Sequence, residues 1–168
     1  DAPLLVWFAA RDTRRPVARA ADLGAGCGVV GLGLLAAGAA RECVAVELQP
    51  RLAELAARAA RENELADRYT LVRGDLRRPD PALPAQAFDL VVANPPFWPA
   101  GHGRPPECDE RRAARHETTC ALDEWIAAAG RLLHPRRGRL DAVFPARRLD
   151  ELLAGLARRG LRLDRAVP

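Results

Sequence analysis

The chain has 168 residues, 26 basic and 22 acidic side chains, a formal net charge of +4 and 49% apolar residues, which is the size and make-up of one globular domain. That apolar content excludes a disordered chain. No stretch approaches the ~18 consecutive apolar residues of a membrane-spanning helix, and the opening residues do not read as a secretory leader.

Every basic residue is Arg, and neither Lys nor Ser occurs, so chemistry built on a lysine amine is excluded. The four cysteines (Cys27, Cys43, Cys108 and Cys120) form no CxxC pair and are too sparse for a disulfide framework. A reduced, cytoplasmic setting is expected. The mild positive charge permits a nucleic-acid partner without requiring one. The chain lacks Met, opens at Asp1 in an amphipathic run and closes at Pro168 in an apolar one. Residues 1–168 are therefore expected to be one domain of a longer protein, clipped at both ends.

Leu4, Leu5, Trp7 and Phe8 predict a short first helix. Arg19–Leu23 reads as a strand carrying Asp22 near its end, and Gly28–Ala37 as a helix apolar nearly all round. Cys43–Leu48 is a buried strand ending at Glu47. A helix follows from Pro50, with Leu52, Leu55, Ala56 and Ala59 at helical spacing and proline suited to its first turn. Asn63 extends that stripe as a polar group on its inner face, where it satisfies backbone groups. Tyr69–Arg73 and Phe88–Ala93 are further strands, followed by Gly74-Asp75 and by Asn94. A Pro/Gly-rich stretch, Pro95–Pro106, breaks the rhythm, and Asp109–Glu117 reads as a polar helix. Leu122, Trp125, Ile126, Ala129, Leu132 and Leu133 mark an amphipathic helix with Trp125 in the core. Then come a strand over Arg139–Phe144, a helix marked by Leu149, Leu152, Leu153 and Leu156, and a final strand over Leu161–Val167.

Strands alternating with helices predict an α/β fold, a Rossmann-like three-layer sandwich with a mainly parallel sheet. Such sheets bind ligands beyond the carboxyl ends of their strands. Asp22, Glu47, Asp75 and Asn94 all fall at such ends. The segment from Asp22 to Gly28 joins strand to helix through Gly24, Ala25, Gly26 and Gly28. Gly26, Gly28 and Gly31 also satisfy G-x-G-x-x-G, with Glu47 placed to bind ribose hydroxyls, so a NAD-dependent oxidoreductase is a rival reading. Asp22 tilts against it: a carboxylate there repels a pyrophosphate and suits a cationic ligand. An ordinary tight turn is the plain alternative, and Cys27 within it reads as a small packing residue.

Asn94-Pro95-Pro96-Phe97 is the most specific signal. An amine attached to an aromatic ring or a carbonyl is flat and weakly nucleophilic, because its lone pair is delocalised. The Asn94 side-chain oxygen and the Pro95 carbonyl could each accept one of its N–H bonds, favouring the pyramidal nitrogen. Pro95 and Pro96 restrict the backbone, and Phe97 could stack on a planar substrate. A proline-rich loop that only caps a strand is the alternative.

Taken in order, Asp22–Gly28, Glu47, Gly74-Asp75 and Asn94–Phe97 resemble a class I S-adenosylmethionine-dependent methyltransferase of the small-methyltransferase-domain group. The resemblance implies S-adenosyl-L-methionine as cofactor. Asp22, Gly24, Ala25, Gly26 and Gly28 would lie along its methionine part, and Glu47 would bind its ribose. Leu48 and Leu76 would flank the adenine, Asp75 would accept from the adenine amine, and Asn94–Phe97 would hold the target nitrogen, with Asn94 also among the cofactor-binding residues. The stretch from Gly101 through Ala114–Glu117 to the Leu122–Leu133 helix is similar to bacterial tRNA(Val) adenine-N6 methyltransferases. Its implied partner is tRNA. Release-factor glutamine methyltransferases and ribosomal-RNA guanine-N2 methyltransferases share the tetrapeptide and remain alternatives. The closing antiparallel hairpin of the family is missing from these residues.

His102, Arg104, Arg111, Arg112, Arg115 and His116 suit phosphate contact, although Glu107, Asp109, Glu110 and Glu117 interrupt them as on a solvated face. The spacing of His102, Cys108, His116 and Cys120 matches no common zinc pattern, so no metal is expected. A monomer is the expected state. Trp98 reads equally as a lining of the substrate mouth or as loop packing.

Overall fold

The computed structural model describes residues 1–11, 15–95 and 121–167. Five strands form one sheet in the order β3-β2-β1-β4-β5, and all neighbours run parallel. The strands are β1 (Val17–Leu23), β2 (Ala40–Glu47), β3 (Tyr69–Arg73), β4 (Leu90–Ala93) and β5 (Arg139–Ala142). The helices are α1 (Ala2–Arg11), α2 (Val29–Ala36), α3 (Pro50–Glu62), α4 (Leu122–Leu132) and α5 (Leu149–Arg158), with a short 3-10 turn at Ala146–Arg148.

Burial explains the strands. The last four residues of β1, the last five of β2 and all of β4 are buried. Near-continuous apolar runs are what a parallel sheet covered on both faces requires. On one face, Leu5 and Ala9 of α1, Leu34 and Leu35 of α2, and Ala56 and Ala60 of α3 form one core with Ala20, Ala45 and Val92. On the other, Trp125, Ile126, Ala129 and Leu132 of α4 pack with Val44, Val91 and Phe88.

The chain lays down β1, β2 and β3 outward in one direction, then returns to place β4 on the other side of β1. The strand order thus reverses between β1 and β4, which is where an open α/β sheet leaves a crevice. Leu23 of β1 pairs with both Val46 of β2 and Ala93 of β4, so Asp22, Glu47 and Asn94 arrive at one end of adjacent strands.

Several expected details change. β1 and β2 begin earlier than expected, at Val17 and Ala40, and β5 ends at Ala142 rather than Phe144. Phe88 makes an isolated parallel bridge to Leu133 instead of opening β4. Leu161–Val167 is not a strand: its backbone groups find no ladder partner among the described residues, and it runs irregularly. In α1 the buried positions are Leu5 and Ala9, while Leu4 and Trp7 face outward. In α3 the small Ala53, Ala56 and Ala60 are buried and Leu52 and Leu55 only half-buried, which brings the helix close to the glycine loop. Leu149 and Leu153 of α5 are exposed. The expected polar helix over Asp109–Glu117 lies outside the described residues.

Candidate functional site

The loop after β1 turns on three left-handed glycines, Gly24 (φ 69°), Gly26 (φ 58°) and Gly28 (φ 86°), a conformation that side chains rarely adopt. Gly31, one turn into α2, is required for a different reason. A Cβ there would stand 2.9 Å from the Cys43 sulfur, 3.0 Å from the Tyr69 ring and 3.1 Å from an Asp22 oxygen. Helix and sheet therefore approach closely only through glycine.

The two acids organise this loop. Asp22 Oδ2 accepts the Gly31 N–H at 2.8 Å, from within β1 and fully buried. It satisfies a donor in the first turn of α2, which has no side-chain cap of its own. Burial pushes its carboxyl up to about 7, the Gly31 N–H opposes this, and the nearby Glu47 adds to it. Glu47 Oε2 accepts the Gly26 N–H at 2.8 Å, and Oε1 accepts the Gln49 N–H, at the entrance to α3, at 2.7 Å. One carboxylate thus holds both the glycine loop and the start of the next helix.

Beyond the strand ends lies a cavity of about 290 Å³. Asp22, Gly24, Ala25, Gly26, Glu47, Leu48, Asp75, Leu76, Asn94 and Pro95 all line it, so the sequence-expected residues from four separate segments converge. Gly28, also expected there, is buried and does not line the cavity; a Cβ at it would meet the Tyr69 hydroxyl at 3.0 Å. Leu48 is 46% exposed, at the cavity edge. Asn94 Oδ1 is buried and has no hydrogen-bond partner among the described residues. An unsatisfied buried acceptor is costly, so a donor from a bound molecule is the natural completion. Pro96, Phe97, Trp98 and the His/Arg cluster from His102 to His116 lie outside the described residues, as do Cys108 and Cys120.

Two expectations are corrected, and a third is extended. Cys27 is exposed on the cavity wall rather than packed. Asn63 is exposed, not on an inner face; its Nδ2 donates to the Ala59 carbonyl at 2.8 Å and closes the end of α3. Trp125 is buried as expected, yet it also forms part of the cavity wall. Sequence reasoning missed Arg77, whose Nε lies 2.8 Å from Asp75 Oδ1 and 2.9 Å from Oδ2. A basic residue two positions after a strand-end acid was the available signal. Among the described residues, no group of three or more His, Cys, Asp or Glu could hold a metal, and no helix is long and apolar enough to cross a membrane.

The site disfavours a dinucleotide. The Gly26 N–H, which a pyrophosphate would need, is engaged by Glu47, and the acids Asp22, Glu47 and Asp75 line the same cavity. An all-parallel sheet with a glycine loop after β1, an acid closing β2 and a polar cluster at the strand-order switch define a Rossmann-like domain of the class I methyltransferase type. A family model described as methyltransferase small domain matches residues 4–107, and the chain belongs to that family.

The chain is 35% identical over 135 residues to the tRNA1(Val) (adenine(37)-N6)-methyltransferase of Porphyromonas gingivalis, covering 78% of this chain and 51% of that protein. It is 32% identical over 150 residues to the protein of the same name from Shewanella loihica, covering 87% of this chain and 60% of that one. The chain therefore spans little more than half the length of these curated relatives. Among solved structures, the ribosomal protein L11 methylase of Lactobacillus delbrueckii subsp. bulgaricus matches 99% of this chain and 72% of its own, with a TM-score of 0.72 at 19% identity.

S-adenosyl-L-methionine is the cofactor of this class. The donor set fits it: carboxylates for a cationic amino-acid portion and for hydroxyls, apolar Leu48 and Leu76 for a flat ring, and no cationic side chain among the described residues that line this cavity to bind a phosphate.

Proposed function

We propose that this domain transfers a methyl group from S-adenosyl-L-methionine to an exocyclic amine, adenine N6 in a tRNA. The observation that carries the reading is Asn94, just after β4 and on the wall of the cavity that Asp22, Glu47 and Asp75 share, with a buried Oδ1 that has no partner among the described residues. The names of the relatives support the choice of acceptor. They do so over part of those proteins' length.

When bound, the cofactor supplies a methyl group on a sulfonium leaving group. Asp22 and the glycine loop hold its methionine part, and Glu47 has lone pairs left for ribose hydroxyls after accepting from Gly26 and Gln49. Leu48 and Leu76 flank the adenine, and Asp75 accepts from its amine. Asn94 Oδ1 and the Pro95 carbonyl accept the two N–H bonds of the target amine. The nitrogen would then be drawn toward a pyramidal geometry with its lone pair free to take the methyl group; the thioether would leave neutral, and the extra proton on the methylated, now acidic, nitrogen would pass to water. This is stabilisation by fixed acceptors, with no strong base required. Pro96 and Phe97 complete the tetrapeptide, with Phe97 stacking on an adenine turned out of its loop. A domain cut from a longer protein, a monomer and a cytoplasmic location complete the reading.

Asn94→Ala tests it. Removing one placed acceptor is expected to lower methyl transfer by about 10²-fold or more. Cofactor affinity, measured by calorimetry, should stay within about threefold. Undiminished transfer would remove Asn94 from the mechanism.

A further inference from the structure

Asp75 is not a free carboxylate. Arg77 donates to it from its backbone N–H (3.0 Å to Oδ1) and from Nε (2.8 Å to Oδ1 and 2.9 Å to Oδ2), and its Nη2 pairs with Oδ2 as well. The same guanidinium reaches Glu124 Oε1 through Nη1 at 3.3 Å. The other Glu124 oxygen accepts the Ala121 N–H at 2.8 Å, where α4 begins. Glu124 is followed by Trp125, which lines the cavity that Asp75 also lines. Arg77 thus bridges two walls of one cavity, the loop after β3 and the first turn of α4.

We infer that Arg77 is a positioning residue that locks the orientation of the Asp75 carboxylate as a hydrogen-bond acceptor and so sets the site's preference for the 6-amino group of adenine in the cofactor. The inference rests on the cofactor reading above. Two-point contact by a guanidinium fixes both the rotation and the charge of a carboxylate. The pairing also holds the Asp75 carboxyl below its ordinary range. An ionised carboxylate accepts from an amine and repels a carbonyl oxygen. A carboxylate free to turn away would not discriminate as well. The competing view is an ordinary surface ion pair, since Arg77 and Glu124 are about two-fifths exposed. Such pairs contribute little to stability, and they would leave ligand preference untouched.

The test compares binding of S-adenosylhomocysteine with S-inosylhomocysteine, its 6-oxo analogue, to the 168-residue chain by calorimetry. The parent chain is expected to prefer the 6-amino ligand. Arg77→Met should reduce that preference about tenfold, equivalent to ~1.4 kcal/mol, with little change in thermal midpoint. Arg77→Lys, which keeps the charge but loses the fork, should restore only part of it, and Glu124→Gln should lower it by a smaller factor. An unchanged ratio in Arg77→Met, or equal weakening of both ligands, would overturn the inference. If the folded parent chain binds neither ligand, it is the cofactor reading itself that fails.

Discussion

Asp22 sits under the glycine loop with its carboxyl pushed up to about 7, chiefly by burial. In an unfolded chain an Asp titrates near ~3.9. The fold therefore favours the protonated form, and Asp22's contribution to stability is fully present below about pH 4. It is lost as pH rises toward about 7 and is level above that. A cationic ligand group reverses the preference, so cofactor affinity should rise between pH 6 and pH 8, with a proton released on binding. Asp22→Asn keeps an oxygen for the Gly31 N–H but cannot ionise. Its thermal midpoint should fall less than that of the parent between pH 4 and pH 7, and its cofactor affinity should lose the pH dependence. Parallel midpoint curves for the two proteins would remove Asp22 as the titrating group. The placement of Asp22, Glu47, Asp75 and Asn94 at strand ends was legible because parallel sheets put ligand chemistry there. The capping of α2 by Asp22 was not, since it depends on side-chain reach from strand to helix, and the Arg77 clasp left only a weak local signal, a basic residue two positions after Asp75.

At the scale of elements, α4 shows why a helix stripe alone does not rank its residues. Ile126 and Leu132 are fully buried against the sheet, while Leu153, on the equally periodic α5, is 40% exposed. Ile126→Ala should cost about 2–5 kcal/mol in urea denaturation, as expected for a cavity left in a packed core. Leu153→Ala should change stability by less than ~0.5 kcal/mol. Equal costs would mean that α5 is packed more deeply than its exposure indicates. β3 was legible to the residue, because Tyr69–Arg73 is bounded by polar neighbours and then Gly74-Asp75. The last segment was not. Leu161, Leu163 and Val167 carry strand-like chemistry, but a strand needs a partner to accept its hydrogen bonds, and a sequence pattern does not display one. The outward-facing Leu4 and Trp7 of α1 show the same limit: apolar spacing marks a helix, whereas the face it buries depends on what lies beneath it.

For the whole molecule, strand order decides where chemistry can occur. The reversal between β1 and β4 opens a crevice, and the four strand-end segments, with Ala2 of α1 and Trp125 of α4, supply its walls. The fold class was legible from alternating strands and helices, and the cofactor class from the glycine loop with the acids that follow it. The rival dinucleotide reading shared the same glycines; Asp22 and the Asn94–Phe97 tetrapeptide already weighed against it, and the bond between Glu47 and Gly26, which no motif encodes, adds to them. The acceptor is the finest part of the account, and it rests on Asn94-Pro95 and on relatives matched over part of their length. The most direct measurement is transfer of tritiated methyl from S-adenosylmethionine to unmodified tRNA, with release-factor protein offered in a parallel reaction. Label in tRNA that digests to N6-methyladenosine is the predicted result. Label confined to protein, or none in either acceptor while the cofactor still binds, would contradict the assignment of a tRNA adenine as the target.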